Sequence, residues 1–490
     1  MNAHIPLLIP LTFLFMALLV PLAGMLNRHL AHLVALAGAV IAFYFSLVGL
    51  SIVMDQGPIH YHLAGWQPPL GIEFVLDPLS GFLEVIITGT ALFVLIYSRR
   101  SVEIEMPDKT IPFYSLTMLM LTGLTGMVIT GDLFNLYVFL EISALAGYAL
   151  IAIGDKRAPF SAFRYLTLGT VGAAFYLLGV AFLFMITGTL NMADISKVIP
   201  LVKDTLPAAT GLALIILGAG LKMALFPMHA WLPDAYTNAS SAATSLIAPI
   251  GTKVAAYIMI RVLIIYDFPP VIEVLSWIAA VGIIAGSILA IAQTNLKRML
   301  AYSSVANIGY IALGITLANP LAFIGAMLHI LNHALMKAVL FLAAGGVSNK
   351  MGTLDITKLR GLPKQMPFTT AAVLIAVFSM VGIPPTGGFF SKVYLIFGAI
   401  ESETWFFVGV ILLSTLLNFV YFFRVIDISF FKPYGTKNGP SEKAFETMKM
   451  NEMSPGMLVP TLVISAIIIL VGVYNGFIVD KVIALAVPAF

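Results

Sequence analysis

The chain has 490 residues, of which 60% are hydrophobic and only 10% charged; its net charge is +3 and it contains no cysteine. An average soluble domain is about one quarter charged, so a water-soluble globular fold is excluded, and the missing cysteine excludes disulfides, Cys-ligated iron–sulfur clusters and c-type haem attachment on this chain. Many apolar runs exceed the roughly 20 residues that cross a bilayer, and they do not alternate in polarity as spanning strands would, so an all-α polytopic membrane protein is expected.

The first run, "MNAHIPLLIPLTFLFMALLVPLAG", lacks the basic flank of a cleaved signal and reads as a span. About fourteen spans are predicted in chain order, near residues 5–26, 32–53, 78–98, 112–130, 133–153, 162–186, 209–229, 241–265, 271–293, 299–317, 321–346, 368–399, 404–426 and 457–479. Asp55–Asp77 is a long loop without lysine or arginine, and Ile195–Asp204 reads as a short interfacial helix. Lys432–Pro455 is a linker too short to be a domain.

Basic residues orient the spans. Loops after odd-numbered spans hold Arg28, Arg99, Arg100, Lys109, Lys156, Arg157, Lys297, Arg298, Lys350, Lys358, Arg360, Lys364, Lys432, Lys437, Lys443 and Lys449. The opposite side holds only Lys197, Lys203 and Lys481. By the positive-inside rule both termini face outward.

Two spans are interrupted. "GLKMALFPMHAWLPD" (Gly220–Asp234) carries Lys222 and then Pro227; "FSMVGIPPTGGFFSKVYLIFGA" (Phe378–Ala399) carries Pro384, Pro385 and two glycines, then Lys392. Proline frees carbonyls at mid-membrane, and free carbonyls are tolerated there only around a protein-buried, hydrated cavity. A pair of broken spans in corresponding positions points to inverted repeats. Spans four to eight and nine to thirteen would form them, and the chain divides into 1–111, 112–265, 266–426 and 427–490, the last a cytoplasmic linker plus span fourteen.

Charges inside a bilayer are costly, about 2.5–3.5 kcal/mol each on insertion scales, so those present need a reason. The one clear carboxylate read within the spans is Glu141, in "LFNLYVFLEISALAGYAL". A carboxylate about 4 Å from an ammonium attracts it by roughly 4 kcal/mol at an effective dielectric near 20. Moving it relative to a buried lysine therefore loads or releases a proton. Lys253 lies near the middle of span eight and either relays protons or snorkels to an edge. His329, His333 and Lys337 recur every four residues on one helical face. They suit a proton wire better than a metal, since no HExxH, cysteine or third ligand accompanies them. Lys392 reads as a terminal site exchanging with outside water, or as a lysine on a helix dipole. His229 follows Lys222 by seven residues, and Asp132 is either an interfacial cap or a functional acid.

Taken together, "LKMALFPMHAWLPDAY" (Leu221–Tyr236), "GIPPTGGFFSK" (Gly382–Lys392), Glu141 and "HILNHALMKAVLFLAAG" (His329–Gly345) resemble the antiporter-like subunits shared by respiratory complex I, Mrp-type cation/proton antiporters and energy-converting membrane hydrogenases. The resemblance covers nearly the whole chain. It implies that Glu141 modulates Lys222, that Lys253 connects to a relay of His329, His333 and Lys337, and that Lys392 is the exit. It also implies partner membrane subunits, a prokaryotic cell membrane, no cofactor, no metal and no nucleic acid. The chain ends soon after span fourteen, without a long lateral helix or extra spans, so it looks most similar to the D-type Mrp subunit or its hydrogenase-complex homologue. Lysines suit protons and carboxylates suit sodium; protons are expected to cross here, coupled either to Na+/H+ antiport or to a redox module of a hydrogenase or ferredoxin-/NADH-dependent oxidoreductase, and passage of sodium through this chain is left open. A solute transporter, a purely structural subunit and a quinone-binding redox subunit are the rival readings.

Overall fold

The computed structural model describes residues 2–154, 157–266, 268–431 and 449–488. The basic residues Lys156, Lys432, Lys437 and Lys443, and most of the expected linker, lie outside them. A helical hairpin opens the fold, α1 (Ile5–Leu26) and α2 (Arg28–Gln56). It turns at extended Asn27, whose side chain accepts the His29 N–H at 2.9 Å. The loop expected after it contains a β-hairpin, β1 (Ile59–His62) and β2 (Glu73–Leu76), antiparallel with His60 opposite Val75. This small hairpin is an addition to an otherwise helical membrane fold. Helix α3 (Pro78–Glu105) then starts at a capping box in which Asp77 and Ser80 exchange side-chain-to-backbone bonds.

Next come α4 (Thr110–Ile129), α5 (Leu133–Ala152), α6 (Ala158–Thr187), the short surface helix α7 (Met192–Val202), α8 (Leu206–Met223), α9 (Leu232–Asn238) and α10 (Ser241–Ile265). The remainder is α11 (Pro269–Ile291), α12 (Leu296–Thr316), α13 (Pro320–Met351), α14 (Leu362–Gln365), α15 (Pro367–Val381), α16 (Gly387–Glu401), α17 (Trp405–Phe430), α18 (Pro455–Val473) and α19 (Asn475–Ile478). Among the described residues, 13 helices are long and apolar enough to cross a membrane. The predicted crossing at 368–399 is divided between α15 and α16. The interfacial helix expected at 195–204 is α7.

The predicted span 209–229 ends early. Helix α8 stops at Met223, where Ala224 takes a left-handed conformation with φ +59° and the Trp231 indole N–H caps the Leu221 carbonyl at 2.9 Å. Pro227 therefore lies past the helix end rather than inside it. The second break is a glycine stop: Gly382 has φ +92°, and a side chain on Gly388 would strike the Ser379 carbonyl.

The two halves repeat one backbone device. At the start of α5, Leu133 N–H bonds the Leu190 carbonyl and Met192 N–H the Gly131 carbonyl; at the start of α12, Leu296 bonds Leu354 and Ile356 bonds Thr294. The caps pair across each bridge, Asp132 with Asn191 and Asn295 with Asp355. Helices α12 and α13 are the innermost, although α12 is the least apolar of the 13. Polar groups on it face protein, as lipid would demand.

Candidate functional site

Lys222 sits in the last turn of α8, buried, and its ammonium donates to the Tyr148 hydroxyl at 2.9 Å. It also lies 5.4 Å from the centre of that ring. A side chain on Gly169 of α6 would strike the Tyr148 hydroxyl and crowd the Lys222 ammonium, so the glycine makes room for the pair. Among the described residues no ion pair joins Lys222 to Glu141; instead Glu141 lies one face along α5 from Tyr148, near enough for its charge to act on Lys222. The partner of the ammonium is thus the Tyr148 phenol rather than the carboxylate expected from sequence.

A cavity of about 50 Å³ leads away from Lys222, walled by Tyr165, Tyr236 and Thr252. It has room for one or more waters, each taking about 30 Å³ of liquid. Thr252 borders Lys253, whose ammonium donates to the Thr252 hydroxyl at 3.3 Å and the Ala248 carbonyl at 2.8 Å. Lys253 is 1% exposed and does not snorkel. Its charge acts on His333, His329 and Lys337 of α13, so α10 delivers it to the expected relay.

The three α13 residues differ in how they are held. His329 Nε2 donates to the Asn307 side-chain oxygen at 3.0 Å, because the Asn307 amide nitrogen is spent on the Ser303 carbonyl at 2.6 Å. His329 Nδ1 faces the Ser391 hydroxyl at 3.0 Å. Lys337 donates to the Leu300 carbonyl at 2.7 Å and to the Ser303 hydroxyl. His333 stacks on His329 with ring centres 5.9 Å apart, and among the described residues neither of its nitrogens has a hydrogen-bond partner. Such a group calls for water. The bonded route through Asn307 cannot carry protons, since an amide and a carbonyl do not exchange them as imidazole does. His333 is thus the member of the three whose ring nitrogens are left unbonded among the described residues.

Lys392 closes the file. It lies beyond the second break but folds back, donating to the Met380 and Val381 carbonyls at 3.0 Å each and to Thr415 at 3.3 Å. The ammonium thus caps the C-terminal end of α15, where helix dipoles favour cations. It also lies 5.3 Å from the Tyr310 ring, which in turn contacts the His329 ring.

Residues 130–418 match the family described as NADH:quinone oxidoreductase/Mrp antiporter, TM. The chain belongs to this antiporter-like family. It is 44% identical to the N-type subunit of the NADH-quinone oxidoreductase of Desulforudis audaxviator, over all of this chain and 99% of that one. Identity to the D-type subunit of the Na(+)/H(+) antiporter of Bacillus subtilis is 31%, over 83% of this chain and 84% of the other. Among solved structures, a chain of the membrane-bound sulfane sulfur reductase, an archaeal respiratory membrane complex, superposes with TM-score 0.90 at 29% identity, covering 99% of this chain and 97% of that one.

Two candidates of this antiporter-like chain stand outside the file. Asp132 is the N-cap of α5, accepting the Asn135 N–H at 2.7 Å. His229 packs on Phe226 and Tyr302 in the segment after α8, and does not continue the Lys222 face because the helix has ended. Neutral groups went unread: Tyr148, Thr252, Ser303, Asn307 and Ser391 carry no charge to flag them. One carboxylate was missed outright. Glu84 of α3 is fully buried and neither carboxyl oxygen has a partner among the described residues, so Glu141 is not the sole intramembrane acid. The signal was visible, an acid in the run "GFLEVIITG".

Proposed function

We propose that this chain is the proton-translocating membrane subunit of a multisubunit complex in a prokaryotic cell membrane. Protons pass from Lys222 to Lys253, across His333 and its neighbours His329 and Lys337, and leave through Lys392, with Glu141 setting the charge of Lys222 through Tyr148. The observation that carries this reading is a file of six titratable side chains, all buried, running across four helices, with a cavity that reaches from Lys222 to Thr252, the neighbour of Lys253. At about 3 kcal/mol each, the four lysines alone cost about as much as the whole stability of an ordinary domain. Packing offers no return for that. Lysines and histidines in a line suit protons rather than an organic solute.

The paired breaks and the twin backbone bridges support two inverted repeats, 112–265 and 266–426. The Lys/Arg bias supports termini facing outward. Partners are other membrane subunits, as in the respiratory and antiporter assemblies named for the relatives. The whole-chain identity to an N-type oxidoreductase subunit favours a redox module as the energy source; ion exchange with sodium is the alternative. Purifying the native complex in mild detergent and identifying its chains separates the two. The proton reading is tested by Lys222→Ala and Glu141→Ala in the assembled complex. Proton transport in sealed vesicles is expected to fall about 10²-fold or more; unchanged transport in both variants sinks the proposal.

A further inference from the structure

On the lysine-poor face a cavity of about 240 Å³ opens beside β2, α7 and the end of α10, with Glu73, Asp77, Ser196, Tyr257 and Arg261 in its wall. Its inner end is latched. Arg261 donates to Asp77 at 2.6 Å and to the Tyr257 hydroxyl at 2.7 Å, and that hydroxyl donates to the Val128 carbonyl at 2.5 Å. So closed, the latch passes no proton: a guanidinium does not give one up, and the single phenolic hydrogen is committed to a carbonyl.

Two titratable groups lie deeper. Glu84 follows Asp77 by seven residues, two turns along the same face of α3. It is fully buried, neither oxygen is bonded among the described residues, and its charge acts on Tyr257. Lys253 lies one turn from Tyr257 and two from Arg261 on one face of α10. A bound cation would need several oxygens converging on it, whereas the Glu84 carboxyl has no hydrogen-bond partner among the described residues. A proton needs only the carboxyl itself.

We propose that Glu84 is a second proton-binding site, served from the lysine-poor face through this vestibule and gated by the Asp77–Arg261–Tyr257 latch. When the latch parts, water reaches the carboxylate. A hydronium gives up its proton, leaving water and a neutral carboxyl. Once the Lys253 ammonium has given a proton on to α13, the carboxyl passes its proton by water to the resulting amine, leaving a carboxylate and an ammonium. The reverse sequence serves release. The inference rests on the proton reading above.

The test uses the assembled complex in sealed vesicles, with Lys222→Ala alongside. Glu84→Gln is expected to cut proton transport at least about tenfold and Glu84→Asp to retain most of it. Parental transport in Glu84→Gln, with Lys222→Ala inactive, overturns this inference and leaves the main reading standing. Parental transport in both variants overturns the two together. If Glu84→Gln does not assemble, Asp77→Asn decides: a parted latch is expected to raise passive proton leak severalfold, and an unchanged leak overturns the gate. The cysteine-free background adds a direct readout. Ser196→Cys should react with an impermeant maleimide from the lysine-poor side; reaction only from the lysine-rich side overturns the vestibule's sidedness.

Discussion

Among the described residues Lys222 donates to a single oxygen, that of Tyr148, and this makes the tyrosine the most informative residue to change. Tyr148→Phe keeps the ring and removes only the hydroxyl. A hydrogen bond to a charged group contributes about 1.5–3 kcal/mol, so transport is expected to slow roughly tenfold to a hundredfold while the complex still assembles. A flux assay beside a native gel checks both halves of that statement. Ser391 offers a finer probe. Its hydroxyl lies 3.0 Å from both His329 Nδ1 and the Gly388 carbonyl, and it has one hydrogen to give. It donates to Nδ1 when that nitrogen is bare and to Gly388 when Nδ1 carries a proton. Ser391→Ala removes this adjustable partner, and a severalfold loss of transport, restored in Ser391→Thr, is the expected outcome. A merely space-filling serine predicts no loss.

Among the elements, both broken spans end a half-helix with a lysine close to its last carbonyls. In α8 the lysine belongs to the final turn; in α15 it arrives from the following half-helix. Caps elsewhere are structural. Asp132→Ala removes the α5 cap and should lower stability by about 1 kcal/mol with transport unchanged; a melting scan combined with a flux assay distinguishes this from a functional acid. At the head of α3, burial pushes Asp77 upward, but the Arg261 charge and hydrogen bonds beside it outweigh burial and hold its carboxyl below the usual range. The contribution to stability is therefore full above the ordinary aspartate value near pH 4 and is lost as pH falls through the lowered one. Thermal melts of the solubilised protein should fall below about pH 4, and Asp77→Asn should remove that part of the pH dependence.

For the molecule as a whole, two cavities gather loops that the lysine count assigns to opposite faces. The 240 Å³ vestibule gathers Asp77, Gly131 and Ser196, all from loops expected outside. A larger cavity of about 520 Å³ gathers Lys109, Ile153, Ser240, Lys297 and Ser348, all from loops expected inside. Cysteine placed at Ser348 should therefore label only from the cytoplasmic side of oriented vesicles; labelling from the outside inverts the topology. The apolar flanks of α1, α2 and α6 stay largely uncovered while α12 and α13 are enclosed, as befits a multi-pass membrane subunit.

Composition and periodicity alone determined the membrane class and the run of crossings, because lipid forbids most charge along a span; the charge left in the loops supplies the proposed sidedness. The charged members of the file were legible for the same reason: Lys222, Lys253, Lys337 and Lys392 are conspicuous where lysine is expensive. Glu84 was equally conspicuous and was simply missed. The β-hairpin hid in a polar loop, where two alternating runs of four residues carry too little pattern to stand out. Only the tertiary structure decided which groups touch. Tyr148 rather than Glu141 holds Lys222, Asn307 sets the His329 tautomer from another helix, and Lys392 turns back onto α15. Those contacts join residues between 11 and 74 positions apart, and spacing along one helix reports only the face a residue lies on, not what another helix brings to meet it.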